Sequence, residues 1–147
     1  MTQLTPLDVL ELRRRFIIAR DLESFANLFA EDGVIELPFA VGGLPTRLEG
    51  RDAIREFSRT TGDRPMEITD LQIVHLHETQ NPEIVIVELI TKARHTTTGA
   101  PFEAPCIQVF QIHNGEIRLF RDYIGATTIP DLTHDQPVVE EEVEEPR

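Results

Sequence analysis

Residues 106–125 read CIQVFQIHNGEIRLFRDYIG, and they give the strongest indication of the fold. β-Branched and aromatic residues dominate both of its halves, which is typical of β-strands. Asn114 and Gly115 separate the halves, and both residue types tolerate the positive φ that a tight reversal needs. We therefore predict a hairpin of two long strands at the centre of a sheet.

The loop of this hairpin can close in two registers. In a two-residue loop His113 pairs with Glu116, and even residues of one strand share a face with odd residues of the other. With Gly115 as a bulge in a three-residue loop, Ile112 pairs with Glu116, and the even residues of both strands lie together. A slip of one residue moves Asp122 to the opposite face. The residues alone leave both registers open.

The N-terminal part of the chain has helical patterns. Thr5-Pro6 predicts the start of a first helix, because threonine is a good N-cap and proline fits the first helical turn. Asp21 is the predicted cap of a second helix that ends at Asp32-Gly33. A third helix is predicted over Arg51–Thr60. Three arginines of the first helix fall mainly off its apolar stripe, which predicts a solvated flank: Arg13, Arg14 and Arg15.

The strands follow a different pattern. Val34–Leu37 is predicted to be a short strand stopped by a proline, and the next residues, PFAVGGLPTRLEG, a loop. Two later segments have either apolar residues at every second position or continuous runs of β-branched residues: Met66–His77 and Glu83–Thr97. They are predicted to pair with the hairpin in an antiparallel meander. The fold class is therefore α+β, with three N-terminal helices packed on a strongly curved, mostly antiparallel sheet that forms a cone with an interior pocket.

Length and charge bound the organisation of the chain. At 147 residues it fits one domain, predicted over residues 1–129. From Pro130 to the end there are seven acidic residues and one arginine, so half of the formal net charge of −12 lies there. Residues 130–147 are therefore expected to form an acidic, flexible tail.

The net charge and the cysteine count limit the classes of partner and the kinds of site that are expected. An acidic protein repels phosphate groups, so neither nucleic acid nor a membrane is expected as a partner. Cys106 is the single cysteine, which excludes an intrachain disulfide and a multi-cysteine metal site. The start of the chain has neither the pattern of a signal peptide nor a long apolar run, and a cytoplasmic location is expected.

Three segments together resemble a known family. FANLFAEDGVIELP after a short helix, EGRDAIREF as a helix, and VFQIHNGEIRLFRDYIG near the end are similar to the SnoaL-like branch of the nuclear-transport-factor-2-like superfamily, over roughly residues 7–127. The resemblance implies the cone-shaped fold and a homodimer. It leaves function open, since this scaffold hosts isomerases, polyketide cyclases, epoxide hydrolases and binding modules.

Two members of the superfamily give specific expectations. Compared with ketosteroid isomerase, Leu37 stands at the place of the catalytic aspartate and Gln108 at that of the oxyanion-hole aspartate, so that machinery is incomplete. Compared with limonene epoxide hydrolase, Asp122 matches the last-strand aspartate, but Leu89 and Thr91 replace its arginine and second aspartate. The resemblance also favours the bulged loop, with Gln108, Phe120 and Asp122 inside the cone.

The candidate site follows from that arrangement. A carboxyl group in an apolar cavity has a raised pKa, so Asp122 is a candidate general acid or base; pairing with an arginine is the structural alternative. Gln108 is a candidate to orient a substrate oxygen; its structural alternative is to satisfy a buried neighbour on a strand. His95 is a candidate base beside Asp122 at the cone mouth; its alternative is a solvated position near the strand end. The expected substrate-binding residues are apolar or small: Ile35, Leu37, Phe39, Leu89, Thr91, Phe110 and Phe120.

Other residues have structural explanations. His75 and His77 share a face, but no third ligand is evident, so no metal site is predicted. Cys106 is expected to be a buried structural thiol, and Glu36 and Glu88 to point outward.

Two functional hypotheses remain. The first is an enzyme that performs acid/base chemistry without a cofactor on an apolar polyketide-, terpenoid- or steroid-like molecule. The alternative is a ligand-binding or dimerisation module without catalysis. A homodimer is expected in either case, because Ile107, Val109 and Leu119 make the outer face of the sheet apolar.

Overall fold

The computed structural model describes residues 3–40 and 43–124. The expected acidic tail, residues 130–147, lies outside these described residues.

Two helices precede the first strand, and the third helix lies later in the chain. Helix α1 spans Pro6–Ile18, α2 spans Leu22–Asn27 and α3 spans Arg51–Gly62. The Thr5 side chain accepts a hydrogen bond from the Asp8 amide, and Asp8 in turn accepts one from the Thr5 amide, which confirms the predicted cap. Asp21 caps α2, as predicted, by accepting a hydrogen bond from the Ser24 amide.

The strands form one sheet, which confirms the α+β prediction. The sheet has six strands in the order β2-β1-β6-β5-β4-β3. Strands β3 to β6 form the predicted antiparallel meander, whereas β1 pairs parallel to β6. The strand bounds are β1 Phe29–Glu36, β2 Arg47–Glu49, β3 Met66–Glu78, β4 Ile84–His95, β5 Pro101–His113 and β6 Glu116–Tyr123.

The region around Gly33 differs from the prediction. Asp32-Gly33 does not end α2, because α2 stops at Asn27 and these two residues lie inside β1. A Cβ atom on Gly33 would lie 2.9 Å from the carbonyl oxygen of Ile117 in β6. Glycine is therefore needed where the two strands approach closely, at the shift in their register. The predicted loop before α3 also contains a short strand, β2, which pairs antiparallel to β1.

The central hairpin combines features of both registers. Its turn is the two-residue one: His113 pairs with Glu116, and Asn114 and Gly115 both have positive φ. Between the pairs Ile112–Ile117 and Gln111–Leu119, however, β6 contains one extra residue, Arg118. This bulge restores the alignment of even residues, so that Gln108 pairs with Asp122 and Phe110 with Phe120. The predicted bulge at Gly115 was misplaced by three positions.

The core lies between the helices and one face of the sheet. The largest fully buried side chains come from α1, α3 and four of the strands: Phe29, Phe110, Ile54, Leu89, Ile117, Val9 and Val87. Burial of apolar surface on this scale is the main stabilising contribution to a domain of this size. Within the described part of the chain, none of the helices has the length and apolar character required to cross a bilayer.

Candidate active site

A cavity of about 280 Å³ lies between the helices and the inner face of the sheet. Its wall is mostly apolar and is contributed by all three helices and by five strands. The lining residues that matter for chemistry are Arg13 on α1, Ser58 on α3, Gln108 on β5 and Asp122 on β6. The apolar lining includes Ile17, Leu22, Phe25, Ile35, Leu37, Phe57, Ile68, Leu71 and Phe120.

Asp122 is the carboxylic acid of this cavity. The bulge at Arg118 turns it inward, and its Oδ1 is buried without a hydrogen-bond partner among the described residues. Desolvation raises the pKa of Asp122 to about 6, while the positive charge of Arg13 and the Gln108 amide act in the opposite direction. Asp122 therefore changes its protonation state close to neutral pH, as general acids and bases do.

Gln108 is the cross-strand partner of Asp122. Its side chain is 2% exposed, and its Oε1 has no hydrogen-bond partner among the described residues. A buried amide oxygen without a partner is uncommon in folded proteins. Gln108 and Asp122 thus place two unpaired oxygen atoms on the wall of the same cavity.

Arg13 does not lie on a solvated flank, contrary to the prediction. It is 5% exposed, not solvated, and its guanidinium carbon lies 4.9 Å from the ring centroids of both Phe110 and Phe120. Desolvation lowers the pKa of Arg13 to about 10, with Asp122 opposing that change, so the group stays charged at neutral pH. The alternative that Asp122 pairs with an arginine is met only in part. The charges of Arg13 and Asp122 influence each other, but within the described chain no ion pair or hydrogen bond joins the two side chains.

A signal for Arg13 was present in the sequence. The residues three and four positions away on each side are all apolar: Val9, Leu10, Phe16 and Ile17. In a helix these positions share a face with Arg13, so the arginine lies in the middle of the buried stripe. Three consecutive arginines are typical of an exposed group, but the apolar neighbours of Arg13 place it on the buried face.

The other predicted site residues divide into three groups. Four of them line the cavity: Ile35, Leu37, Thr91 and Phe120. Leu89 and Phe110 are buried in the core beside it and are not part of its lining. Phe39 is 56% exposed and packs edge-on against Tyr123.

His95 is the predicted site residue that the structure places away from Asp122. It is the last residue of β4 and is not among the residues that line the cavity. Its Nδ1 accepts a hydrogen bond from the Thr97 amide, so the ring is part of the turn that follows. The predicted position beside Asp122 is not realised: β4 lines the cavity at Thr91 and continues past it to His95.

Two further groups behave as structural residues. The Cys106 thiol is buried, and burial raises its pKa, which disfavours the reactive thiolate. His77 contacts Glu88 on the outer face of the sheet, at 2.5 Å between Nε2 and Oε2. No cluster of three or more His, Cys, Asp or Glu side chains that could hold a metal ion occurs among residues 3–40 and 43–124.

Known proteins match most of the chain. The profile of the SnoaL-like domain matches residues 11–120. An uncharacterised PhzA/B-like protein of Pseudomonas aeruginosa is 32% identical over 104 residues, which are 70% of this chain and 72% of the relative.

Solved structures show the same fold. A crystal structure of a candidate isomerase from Bacillus subtilis is 23% identical and aligns with a TM-score of 0.78 over 86% of this chain and 90% of that one. A Mycobacterium tuberculosis protein in complex with estradiol-17beta-hemisuccinate is 19% identical, with a TM-score of 0.70 over 85% of this chain and 98% of that one.

Proposed function

Because the chain belongs to the SnoaL-like domain family, we propose that it is a small-molecule enzyme that performs acid/base chemistry without a cofactor. Its substrate is an apolar, oxygen-bearing molecule of polyketide, terpenoid or steroid type, and the cavity is the substrate site. Support for a small ligand comes from the mycobacterial structure of the same fold, which contains an estradiol derivative.

A single observation carries this proposal. Asp122 holds a buried carboxyl oxygen that has no hydrogen-bond partner in the part of the chain that the structure describes, it lies on the wall of an apolar cavity, and its pKa is raised to about 6. A group that titrates near the working pH can both take up and release a proton, which is the requirement for a proton shuttle.

The geometry suggests how the residues divide the work. Asp122 would remove a proton from the substrate and return it at a second atom, as in an isomerisation or a ring closure. Negative charge that develops on a substrate oxygen would be stabilised by the Arg13 guanidinium and by the Gln108 amide, which share this cavity with Asp122. The apolar wall keeps water from competing for the proton.

The first prediction tests this chemistry through proton exchange. A panel of apolar enones, epoxides and polyketide-type cyclisation precursors is incubated with the protein in D2O, and deuterium incorporation and product formation are followed by mass spectrometry. We expect exchange or turnover of at least one compound, and we expect Asp122→Asn to reduce it by about 100-fold or more, because an amide cannot accept the proton. Activity should rise with pH through about 6, where Asp122 ionises.

Glu36→Gln is the matched control for that experiment. Glu36 also has a cross-strand neighbour in β6, Arg121. Its carboxylate, however, faces outward and pairs with Arg47 and Arg121. Its neutralisation should leave exchange unchanged. Full activity in Asp122→Asn would refute the mechanism, and binding of panel compounds without any exchange would favour the ligand-binding module.

A further inference from the structure

The charged residues on the cavity wall carry an excess of positive charge. Among the described residues that line it, the charged ones are Arg13, Arg20 and Asp122. The chain as a whole has a formal net charge of −12, so this local excess runs against the composition. Arg20 is exposed and donates to the Gly62 carbonyl oxygen, which leaves Arg13 as the buried cation of the cavity.

Arg13 has unused capacity to bind an anion. Its Nε is buried without a hydrogen-bond partner in the described part of the chain, and its guanidinium lies against two phenylalanine rings rather than a carboxylate. A buried cation is unfavourable unless it is paired and hydrogen-bonded. A guanidinium presents planar N–H donors that match the two oxygens of a carboxylate.

We propose that the cavity binds an apolar carboxylic acid in its ionised form, with the carboxylate against Arg13 and the hydrocarbon part against the apolar wall. This inference rests on the proposed function, in which the cavity is the substrate site, and it names the class of substrate. The unpaired oxygens of Gln108 and Asp122 would accept hydrogen bonds from a hydroxyl or N–H group near the acid.

Binding of an anion at Arg13 also affects Asp122. The groups that face Asp122 are Arg13 from α1 and, from β5, the neutral Gln108 and the Cys106 thiol. A second carboxylate nearby raises the pKa of a carboxyl group, because the two negative charges repel each other. A bound acid therefore raises the pKa of Asp122 further, so that binding above pH 6 takes up a proton and Asp122 begins the reaction with such a substrate as the proton donor.

The second prediction compares two probes of one shape, 2-naphthoate and 2-naphthamide, by calorimetric or fluorescence titration at pH 7.5. We expect 2-naphthoate to bind on the order of tenfold more tightly, because it alone places a negative charge and two acceptor oxygens against the Arg13 guanidinium. Arg13→Gln should abolish this preference. Arg15→Gln, the same change at an exposed residue of the same helix, should leave it intact.

Two additional measurements keep the test decisive. Thermal melts establish which variants are folded. If Arg13→Gln does not fold, Arg13→Lys replaces it: this variant keeps the charge and should retain part of the preference for 2-naphthoate. Titrations in buffers of different ionisation enthalpy should show proton uptake with 2-naphthoate, and Asp122→Asn should lose that uptake while it still prefers the acid. Equal affinity for both probes, no binding of 2-naphthoate, or an equal effect of Arg15→Gln would overturn the proposal. The proposed reaction is judged separately, by deuterium exchange.

Discussion

At the scale of single residues, the ionisation of Asp122 links the site to stability. Its pKa is about 6 in the folded protein, against an ordinary value of 3.8. The folded state therefore holds the proton more tightly than the unfolded chain does. This contribution to stability is fully present below pH 3.8 and is lost as the pH rises through 6.

The third prediction follows from this loss of stability at higher pH. Asp122→Asn carries a neutral group at every pH, so it should be more stable than the parent protein at pH 7.5, by up to about 3 kcal/mol for a shift of this size. The difference should vanish at pH 3.5, where both side chains are neutral. Urea denaturation at the two pH values measures it, and equal stability at pH 7.5 would show that the carboxyl group is well solvated.

The residues of the site were predictable to different degrees. Residue patterns left the hairpin register open, so the inward position of Asp122 and Gln108 could be expected only from the family resemblance. Arg13 could have been found from its apolar neighbours along the helix, since Val9 and Ile17 flank it. His95 could not be placed without knowing where β4 ends, and strand ends depend on tertiary pairing.

At the scale of elements, β1 and β6 position the site through a close approach of their backbones. Gly33 is required there for space, since a Cβ would meet backbone oxygens of Ile117 and Ala30 at 2.9 and 3.0 Å. The sequence pattern Asp-Gly predicted a helix end instead, because aspartate and glycine are common at both kinds of position. Local residue types could not separate these two explanations.

The fourth prediction uses that glycine. Gly33→Ala should destabilise the protein by about 2 kcal/mol or more, because the strands must separate to admit the methyl group. Gly99→Ala is the control: its Cβ would meet nothing within 4 Å, so only the strain of its positive φ, about 1 kcal/mol, is expected. Chemical denaturation measures both, and a smaller effect at Gly33 than at Gly99 would contradict the role assigned to it.

At the scale of the whole molecule, the fold class was predictable because long strands and helices carry strong periodic signals. Strand β2 was missed because three residues between turns carry no such signal. The outer face of the sheet, opposite the helices, was predicted to be apolar. Its residues Ile107, Val109 and Leu119 are exposed or half-buried in the single chain.

The fifth prediction concerns that outer face. We expect a homodimer at micromolar concentration, because a second copy would cover Ile107, which is 46% exposed in the single chain. Ile107→Lys should give a monomer in light scattering coupled to gel filtration. Leu7→Lys, at a leucine of α1 that is 55% exposed, should leave the dimer intact. A monomeric parent protein would refute the expectation.

The thiol of Cys106 can report on structural fluctuations that expose the interior. It is the only thiol, it is 5% exposed, and it lies in β5 between Ala104 and Gln108, which both line the cavity. A thiol-labelling reagent can reach it only when the surrounding structure fluctuates apart, so the labelling rate measures the frequency of such excursions. Any compound that occupies the interior would slow that rate in proportion to its occupancy, and a ligand could be discovered this way before any reaction is known.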